Sequence, residues 1–215
     1  MPVSEVLYKH DSNNFTPDEP WTVKREHNHW YSLQADWAQK SLGSGPGKFL
    51  IIGSPIFEAL EFKDLGWEIT YVDVRKPPVE INHLHGDISK MPLPVSTYDA
   101  VSSTCVLCHV GMGRYGDSEV EDAEIKVLEK IHQTLKPGGL AAITFGPVSK
   151  APFQIRLSNM ERIFTLDSAK RASLQAGFKI ENMAILDTKT ALWVPEIEEE
   201  TNRLDRHYLS MLLRK

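Results

Sequence analysis

The sequence predicts a mixed α/β domain built on a mostly parallel sheet with helices on both faces. Short apolar runs alternate with helix-forming segments along most of the chain, and this alternation is typical of parallel strands joined by right-handed helical crossovers. The length of 215 residues suits one domain with a short extension. The composition, 41% hydrophobic and 25% charged, indicates a folded globular protein.

The predicted elements follow one another with few long gaps. Apolar runs define the strands, and apolar side chains at helical spacing define the helices. The predicted strands cover residues 49–52, 67–72, 81–84, 98–104, 140–145, 180–186 and 207–213. The predicted helices cover residues 25–42, 56–65, 118–135 and 168–176, and Ser118 with Glu121 matches a capping box for the third. We therefore expect an N-terminal arm and helix in residues 1–47 that cover the pocket, and the sheet domain in residues 48–215.

Two segments between these elements are expected to be irregular. Residues 146–164 carry Lys150, Arg156 and Arg162, which suits either an anion-binding loop or a solvated basic loop. Residues 193–205 are acidic and suit a solvated linker before the last strand.

Charge and composition argue against several classes of partner. The net charge of −5 gives no long-range attraction for nucleic acid or an anionic membrane. No apolar run approaches the roughly 20 residues that cross a bilayer, and the first fourteen residues do not resemble a signal peptide. Two cysteines are too few for a disulfide framework. We expect a cytoplasmic protein that binds neither membranes nor nucleic acid.

The carboxyl ends of the first three strands carry the residues expected to bind a ligand. In an open α/β sheet, ligands lie beyond these strand ends. Gly53 begins the first turn and permits close approach to its backbone. Asp73 ends the second strand twenty positions later, where a carboxylate can accept hydrogen bonds from both hydroxyls of a ribose. Asp87, at the end of the third strand, is placed to contact an adenine edge.

Four segments carry a resemblance to a known family. They are FLIIGSP at 49–55, YVD at 71–73, GDI at 86–88 and LKPGG at 135–139. In order and spacing they resemble the class I S-adenosylmethionine (SAM)-dependent methyltransferases. The resemblance implies a Rossmann-like sheet of seven mostly parallel strands with an antiparallel last strand, and SAM as the cofactor. The cofactor-binding residues that it implies are Gly53, Ser54, Pro55, Asp73, Val74, Asp87, Ile88 and Cys105.

The first turn departs from the pattern of that family. The family has two or three glycines there, whereas Pro55 and Phe57 stand where the later ones would be. This departure concerns the part of the turn that would face the methionine end of the cofactor.

The segment 105–117, CVLCHVGMGRYGD, matches several patterns at once. The CxxCH at its start is the attachment pattern of c-type haem, and its CxxC spacing is shared by redox dithiols and half of a zinc site. We expect no metal, because the chain has no second cysteine pair, and the two cysteines suit a buried strand end. The GxGxxG at 111–116 matches a dinucleotide fingerprint, but it follows the fourth strand and lacks a strand-end acid about twenty residues later.

Residues 109–117 also resemble a motif, HxGxGRYGD, of a small methyltransferase-like subgroup whose members are associated with surface-glycan or secondary-metabolite genes. His109 is the first candidate for a catalytic base, because imidazole titrates near neutral pH, and Asp117 is the second. Asp117 alternatively pairs with Arg114 or caps the next helix. The candidate substrate-binding residues are His29, Tyr31, Arg114 and Tyr115.

The sequence favours SAM-dependent methyl transfer to an oxygen or nitrogen atom of a small molecule or a glycan precursor. A catalytically inactive SAM-fold binding or scaffold protein and an NAD-dependent enzyme are the alternatives. A homodimer is left open.

Overall fold

The computed structural model describes residues 5–6, 29–115, 117, 119–150, 155–157, 161–197 and 207–215. The strands are β1 (Glu5–Val6), β2 (Gly47–Ile52), β3 (Trp67–Asp73), β4 (His83–His85), β5 (Tyr98–Thr104), β6 (Leu135–Ser149), β7 (Ile155–Leu157), β8 (Glu161–Thr165), β9 (Lys179–Asp187), β10 (Leu192–Val194) and β11 (His207–Arg214). The helices are α1 (Trp30–Leu42), α2 (Ile56–Asp64), α3 (Ala123–Thr134) and α4 (Leu166–Gln175). No helix of these residues is both long and apolar enough to cross a bilayer.

The centre of the molecule is a sheet in the order β4-β3-β2-β5-β6-β11-β9. Neighbouring strands from β4 to β6 run parallel, and β11 lies antiparallel between β6 and β9. This confirms the predicted fold class, with its antiparallel last strand. The predicted count of seven strands is too low, because the described residues form eleven. Strand β10 extends the sheet beside β9, and the short strands β1, β7 and β8 lie beyond β6.

Helices cover both faces of the sheet, as the sequence predicts. Along β2, Phe49 and Ile51 point into one apolar cluster, which also contains buried side chains of α1 and α2. Leu50 and Ile52 point into the other, which contains buried side chains of α3 and α4. Because successive side chains of a strand alternate between faces, one apolar run supplies both cores. The apolar side chains of the strands fill the two cores, and polar side chains lie at the ends of the strands.

Two predicted helix starts are wrong. Helix α1 begins at Trp30 rather than at residue 25, because His29 has an extended backbone and acts as the N-cap. Helix α3 begins at Ala123, with Asp122 in the left-handed conformation as its N-cap, so a Ser118–Glu121 capping box does not open it. Residues 25–28 lie outside the described residues, and Val120, which continues the apolar spacing of α3, precedes that helix.

The segment 146–164 is not one long loop. Strand β6 continues to Ser149, and β7 and β8 form an antiparallel pair beyond it. Predicted strand residues 180–186 and 207–213 fall inside β9 and β11. The predicted acidic linker contains Trp193 and Val194 of strand β10, while residues 198–205 lie outside the described residues.

Arg162, expected on that loop, is instead buried in β8 and braces the turn after β5. Its guanidinium Nη1 donates to the backbone oxygens of Leu107 at 2.9 Å and Val110 at 3.3 Å. Its Nη2 lies 3.3 Å from the Glu124 carboxylate, and both side chains are at most 7% exposed. The charge of Arg162 therefore has a structural role.

We expect Arg162→Met to lower the free energy of unfolding by about 3–5 kcal/mol, because the change leaves a buried carboxylate without its partner. Urea denaturation followed by circular dichroism measures the change. The double variant Arg162→Met/Glu124→Gln should recover part of the loss. Equal stability of the single variant and the unmodified protein would contradict the bracing role.

A second buried polar cluster lies beneath the turn that follows β2. The Glu58 carboxylate of α2 is fully buried and accepts hydrogen bonds from Ser102 and from Thr104 Oγ1, the latter at 2.8 Å. Ser54 Oγ accepts a hydrogen bond from the Thr104 backbone at 2.9 Å. Burial raises the pKa of Glu58 to about 7, although hydrogen bonds from its neighbours oppose the shift. The cluster thus connects α2, β5 and the first turn.

Stability should depend on pH through Glu58. Because its pKa rises from 4.5 to about 7 on folding, the folded protein binds this proton more tightly, and the stabilisation is complete below pH 4.5. This stabilisation is lost as the pH rises from 4.5 through about 7. The loss amounts to about 3 kcal/mol relative to the Glu58→Gln variant. Urea titrations of the unmodified protein and of Glu58→Gln, at pH values from about 4 to about 8, measure the difference between their free energies of unfolding. A constant difference would show that Glu58 does not titrate in this range.

Candidate functional site

A cavity of about 190 Å³ opens at the carboxyl ends of β2, β3, β4 and β5. This is the edge of the sheet at which the sequence predicts a ligand. The cavity is lined by all the predicted cofactor-binding residues, Gly53, Ser54, Pro55, Asp73, Val74, Asp87, Ile88 and Cys105. The candidate residues Tyr31, His109, Tyr115 and Asp117 line it as well.

The turn after β2 is held tightly at one wall of this cavity. Gly53 has φ +59°, and a Cβ atom there would lie 2.7 Å from the Val106 side chain. Both the conformation and the close approach therefore require glycine. The Tyr71 hydroxyl donates to the Ser54 carbonyl oxygen. Pro55 is the N-cap of α2, so the departure from the glycine-rich pattern coincides with the start of that helix.

Asp73 ends β3 and presents a nearly buried carboxylate, 7% exposed, to the cavity. Its Oδ1 accepts hydrogen bonds from the Arg75 backbone at 2.7 Å and from Arg75 Nε at 3.4 Å. The Tyr71 hydroxyl approaches Oδ2 at 3.4 Å. Burial first, and then the Asp73 charge, raise the pKa of Tyr71 well above its usual value, so Tyr71 remains a donor. The geometry leaves Asp73 able to accept hydrogen bonds from a diol.

Asp87 contributes a carboxylate oxygen that lacks a hydrogen bond. Its Oδ1 accepts from the Ser89 backbone at 2.8 Å, while its buried Oδ2 has no hydrogen-bond partner among the described residues. The nearest cation, Lys90 Nζ, is 3.7 Å from Oδ2. A buried polar atom without a hydrogen bond is costly. An amino group donated by a ligand would satisfy Oδ2, which is what an adenine ring offers.

Lys130 of α3 holds the loop that follows Asp87. Its ammonium group donates to three backbone oxygens, those of Ile88 at 3.0 Å, Ser89 at 2.8 Å and Met91 at 2.8 Å. Three charge-assisted bonds use all the donors of the ammonium. The loop around Asp87 is therefore fixed before any ligand enters.

A second cavity, of about 300 Å³, adjoins the first. The two share four lining side chains, those of Tyr31, Cys105, His109 and Tyr115. The remaining residues of the second cavity are Trp30, Cys108, Arg114, Glu161 and Tyr208. The predicted substrate-binding residues Tyr31, Arg114 and Tyr115 thus lie together. His29 does not line either cavity, because its ring caps α1 by accepting a hydrogen bond from the Tyr31 backbone at 3.3 Å.

The two candidate bases differ in their surroundings. His109 lines both cavities and packs edge-on against the Tyr115 ring, with centroids 5.8 Å apart. Asp117 lines the first cavity, but its carboxylate accepts hydrogen bonds from three backbone amides, those of Gly111 at 2.8 Å, Gly113 at 3.4 Å and Tyr115 at 3.1 Å. This arrangement favours His109 as the base and Asp117 as a brace of the loop.

Two glycines of the GxGxxG pattern, Gly111 and Gly113, have structural explanations, and Gly116 lies outside the described residues. Gly111 has φ +71°, and a Cβ atom there would overlap the Ala123 side chain at the start of α3. Gly113 also has a positive φ, +76°. A dinucleotide loop needs free amides for the pyrophosphate, whereas the amides of Gly111 and Gly113 point to Asp117. These contacts favour a structural role for the pattern.

Several lining residues of the second cavity were missed by sequence reasoning. Trp30 and Tyr208 stack with centroids 4.7 Å apart, although they belong to α1 and β11. Glu161 arrives from β8, which the sequence does not predict. Cys108 was expected only as an apolar strand-end residue. Burial would raise the pKa of its thiol, but hydrogen bonds with Cys105 and His109 and the charges of His109 and Arg162 hold that pKa well below its usual value.

The sequence was compared with family models and with curated proteins. A family model described as a methyltransferase domain matches residues 52–143. No curated protein matches the chain in sequence.

Solved structures resemble the chain over most of its length. A 1,6-didemethyltoxoflavin-N1-methyltransferase from Burkholderia thailandensis, with bound 1,6-didemethyltoxoflavin and S-adenosylhomocysteine, has a TM-score of 0.66 at 20% identity, over 86% of this chain and 77% of that one. A SAM-dependent methyltransferase from Mesorhizobium loti has a TM-score of 0.59 at 19% identity, over 84% and 98%.

The same fold also occurs in an enzyme described by another reaction. The [4+2]-cyclase SpnF has a TM-score of 0.65 at 16% identity, over 91% of this chain and 85% of that one. At these identities the likeness concerns the fold. The chain thus has the fold of the SAM-dependent methyltransferases, and its residues 52–143 match a methyltransferase-domain family.

Proposed function

We propose that this protein transfers a methyl group from SAM to an oxygen or nitrogen atom of a small molecule. The observation that carries the proposal is the pair of strand-end carboxylates, Asp73 and Asp87, which face one cavity beside a conformationally restricted Gly53 turn. One carboxylate suits a ribose diol, and the buried oxygen of the other, which has no hydrogen bond among the described residues, suits an adenine amino group. These two hydrogen-bond acceptors therefore fit adenosine.

Residues of the first cavity would bind the cofactor, and residues shared by both cavities would take part in proton transfer. Bound SAM would supply an electrophilic methyl group. Asp73 and Asp87 would hold the adenosine portion, and four further side chains line both this cavity and the second one. His109, one of those four, accepts the proton that an O–H or N–H acceptor loses. Tyr31 and Tyr115 exclude water from the junction, and positioning of the two reactants supplies most of the rate enhancement.

The second cavity indicates the kind of acceptor. Its rings, from Trp30, Tyr31, Tyr115 and Tyr208, provide flat apolar surfaces. Arg114 supplies a positive charge, with its guanidinium carbon 5.3 Å from the centre of the Tyr115 ring. A small planar molecule with an anionic group meets these surfaces well. A glycan precursor that presents a sugar face and an acidic group meets the same requirement.

A second candidate is a protein that binds SAM without transferring its methyl group. The first turn, where Pro55 rather than glycine leads into α2, favours this alternative. A cyclase with the same fold is named for another reaction, so the fold by itself does not determine methyl transfer. Binding of S-adenosylhomocysteine together with methyl transfer to an acceptor would exclude it.

The Asp73→Asn variant should bind S-adenosylhomocysteine about 10- to 100-fold more weakly, because it loses charge-assisted hydrogen bonds to the ribose. Isothermal titration calorimetry measures the affinity. Asp99→Asn is the matched control, since Asp99 pairs with Lys136 at 2.7 Å near the opposite end of the sheet. Unchanged affinity in Asp73→Asn, or binding of NAD in place of S-adenosylhomocysteine, would contradict the proposed site.

The His109→Gln variant should lower kcat by about 10²- to 10⁴-fold, the usual contribution of a positioned base. Its affinity for S-adenosylhomocysteine should stay unchanged. The assay follows radiolabelled methyl transfer to an acceptor selected from a panel of planar anionic small molecules and acidic sugar precursors. His132→Gln is the control, because this imidazole packs against Phe178, away from both cavities. Full turnover by His109→Gln would rule out His109 as the base.

A further inference from the structure

Three chemically different side chains meet in the second cavity. Cys108 and His109 follow β5, and Glu161 begins β8. One ligand atom from each, a sulfur, a nitrogen and an oxygen, lie within 4.8 Å of one another. The proposed methyl transfer gives no role to Cys108 or Glu161.

We propose that Cys108, His109 and Glu161 bind one divalent ion of the zinc type. Thiolate, imidazole and carboxylate are the ligands that zinc takes in proteins. A sulfur ligand disfavours calcium and magnesium, which prefer sites made of oxygen atoms. The sequence alone did not predict this site, because Glu161 lies more than fifty residues beyond the CxxCH segment.

The spacing of the ligand atoms requires only a small closure. In a tetrahedral zinc site with bonds of about 2.0–2.3 Å, neighbouring ligand atoms lie roughly 3.5 Å apart. The present upper limit is 4.8 Å. Cys108 is fully buried and fixed, whereas His109 and Glu161 are partly exposed. Rotation of these two side chains toward the sulfur therefore closes the site.

The local charges suit a divalent cation. The Cys108 thiolate and the Glu161 carboxylate together carry the two negative charges that neutralise it. The nearby Arg162 guanidinium is already compensated by Glu124, 3.3 Å away. The thiolate and the carboxylate thus neutralise a divalent cation bound by the three side chains, and Arg114 is the other positively charged side chain that lines this cavity.

Three protein ligands would leave a fourth position, and all three side chains line the second cavity. Structural zinc sites have four protein ligands, whereas catalytic ones keep a position for water or substrate. If the proposed function holds, an acceptor hydroxyl takes this position and releases its proton to solvent, because a bound divalent ion lowers the pKa of a coordinated hydroxyl. The oxygen then forms the bond to the methyl carbon as the sulfonium C–S bond breaks, and the sulfur keeps the electron pair. In the ion-loaded protein His109 is a ligand and not the base, so the proton transfer to His109 proposed above applies to the ion-free protein.

Cobalt titration of the reduced, metal-stripped full chain tests the site without an acceptor. We expect one Co²⁺ per chain, with a near-ultraviolet thiolate-to-cobalt band and strong visible bands of four-coordinate cobalt, both abolished by excess Zn²⁺. Cys108→Ser should lose the thiolate band, and His109→Asn and Glu161→Gln should each weaken binding about tenfold or more. His132→Gln should bind cobalt like the unmodified protein.

Two outcomes would overturn the site: absence of the thiolate band in the unmodified protein, or its survival in Cys108→Ser. An unchanged far-ultraviolet circular-dichroism spectrum verifies that each variant is folded. If Cys108→Ser fails this check, the partly exposed positions His109 and Glu161 decide the question. Cobalt binding without S-adenosylhomocysteine binding would contradict the proposed function alone, and the reverse result would contradict the ion site alone.

Discussion

Hydrogen bonds from charged side chains to loop backbone groups hold the walls of both cavities in place. Lys130 binds three carbonyl oxygens of the loop that carries Asp87. Arg162 binds two carbonyl oxygens of the turn after β5, and Asp117 binds three amides of the loop beyond it. Loops at a strand end cannot satisfy their backbone groups within the sheet. Each of these three loops obtains part of its hydrogen bonds from a charged side chain, in addition to bonds between backbone groups.

The polar groups of the cavity walls are of two kinds: those that hydrogen-bond within the protein and those that remain able to bind a ligand. Most polar atoms of the cavity walls are already paired, as the amides around Asp117 show. Asp87 Oδ2 is a buried exception, without a hydrogen bond among the residues described. A site in which the loops are fixed and one buried acceptor is open loses little entropy when a matching donor enters. The hydrogen bonds that fix the loops therefore also determine which polar atom remains to select a ligand.

The fold and the first cavity were largely predictable, because their information is local. Strand β5 matches its predicted range, 98–104, since an apolar run bounded by turns determines a buried strand. The strand-end positions of Gly53 and Asp73 follow directly from the strands themselves. The eight predicted cofactor-binding residues line the cavity, although their roles in binding await the titrations described above.

The second cavity was less predictable, because its residues meet only through tertiary structure. Glu161 and Tyr208 reach it from strands β8 and β11, and neither carries a local motif. His29 was misplaced because its role as an N-cap depends on the backbone conformation where α1 begins. Asp117 was predicted as the second candidate base or as a structural residue, and its bonds to backbone amides do not show in a sequence pattern.

The position of β11 has a consequence for how the chain reaches this structure. It comes last in sequence among the strands of the described residues, yet it lies between β6 and β9 with antiparallel bonds to both. Until β11 is inserted, a folding chain therefore exposes unpaired strand edges on β6 and β9. Such edges invite pairing with other chains. Insertion of β11 covers both edges and removes this route to aggregation.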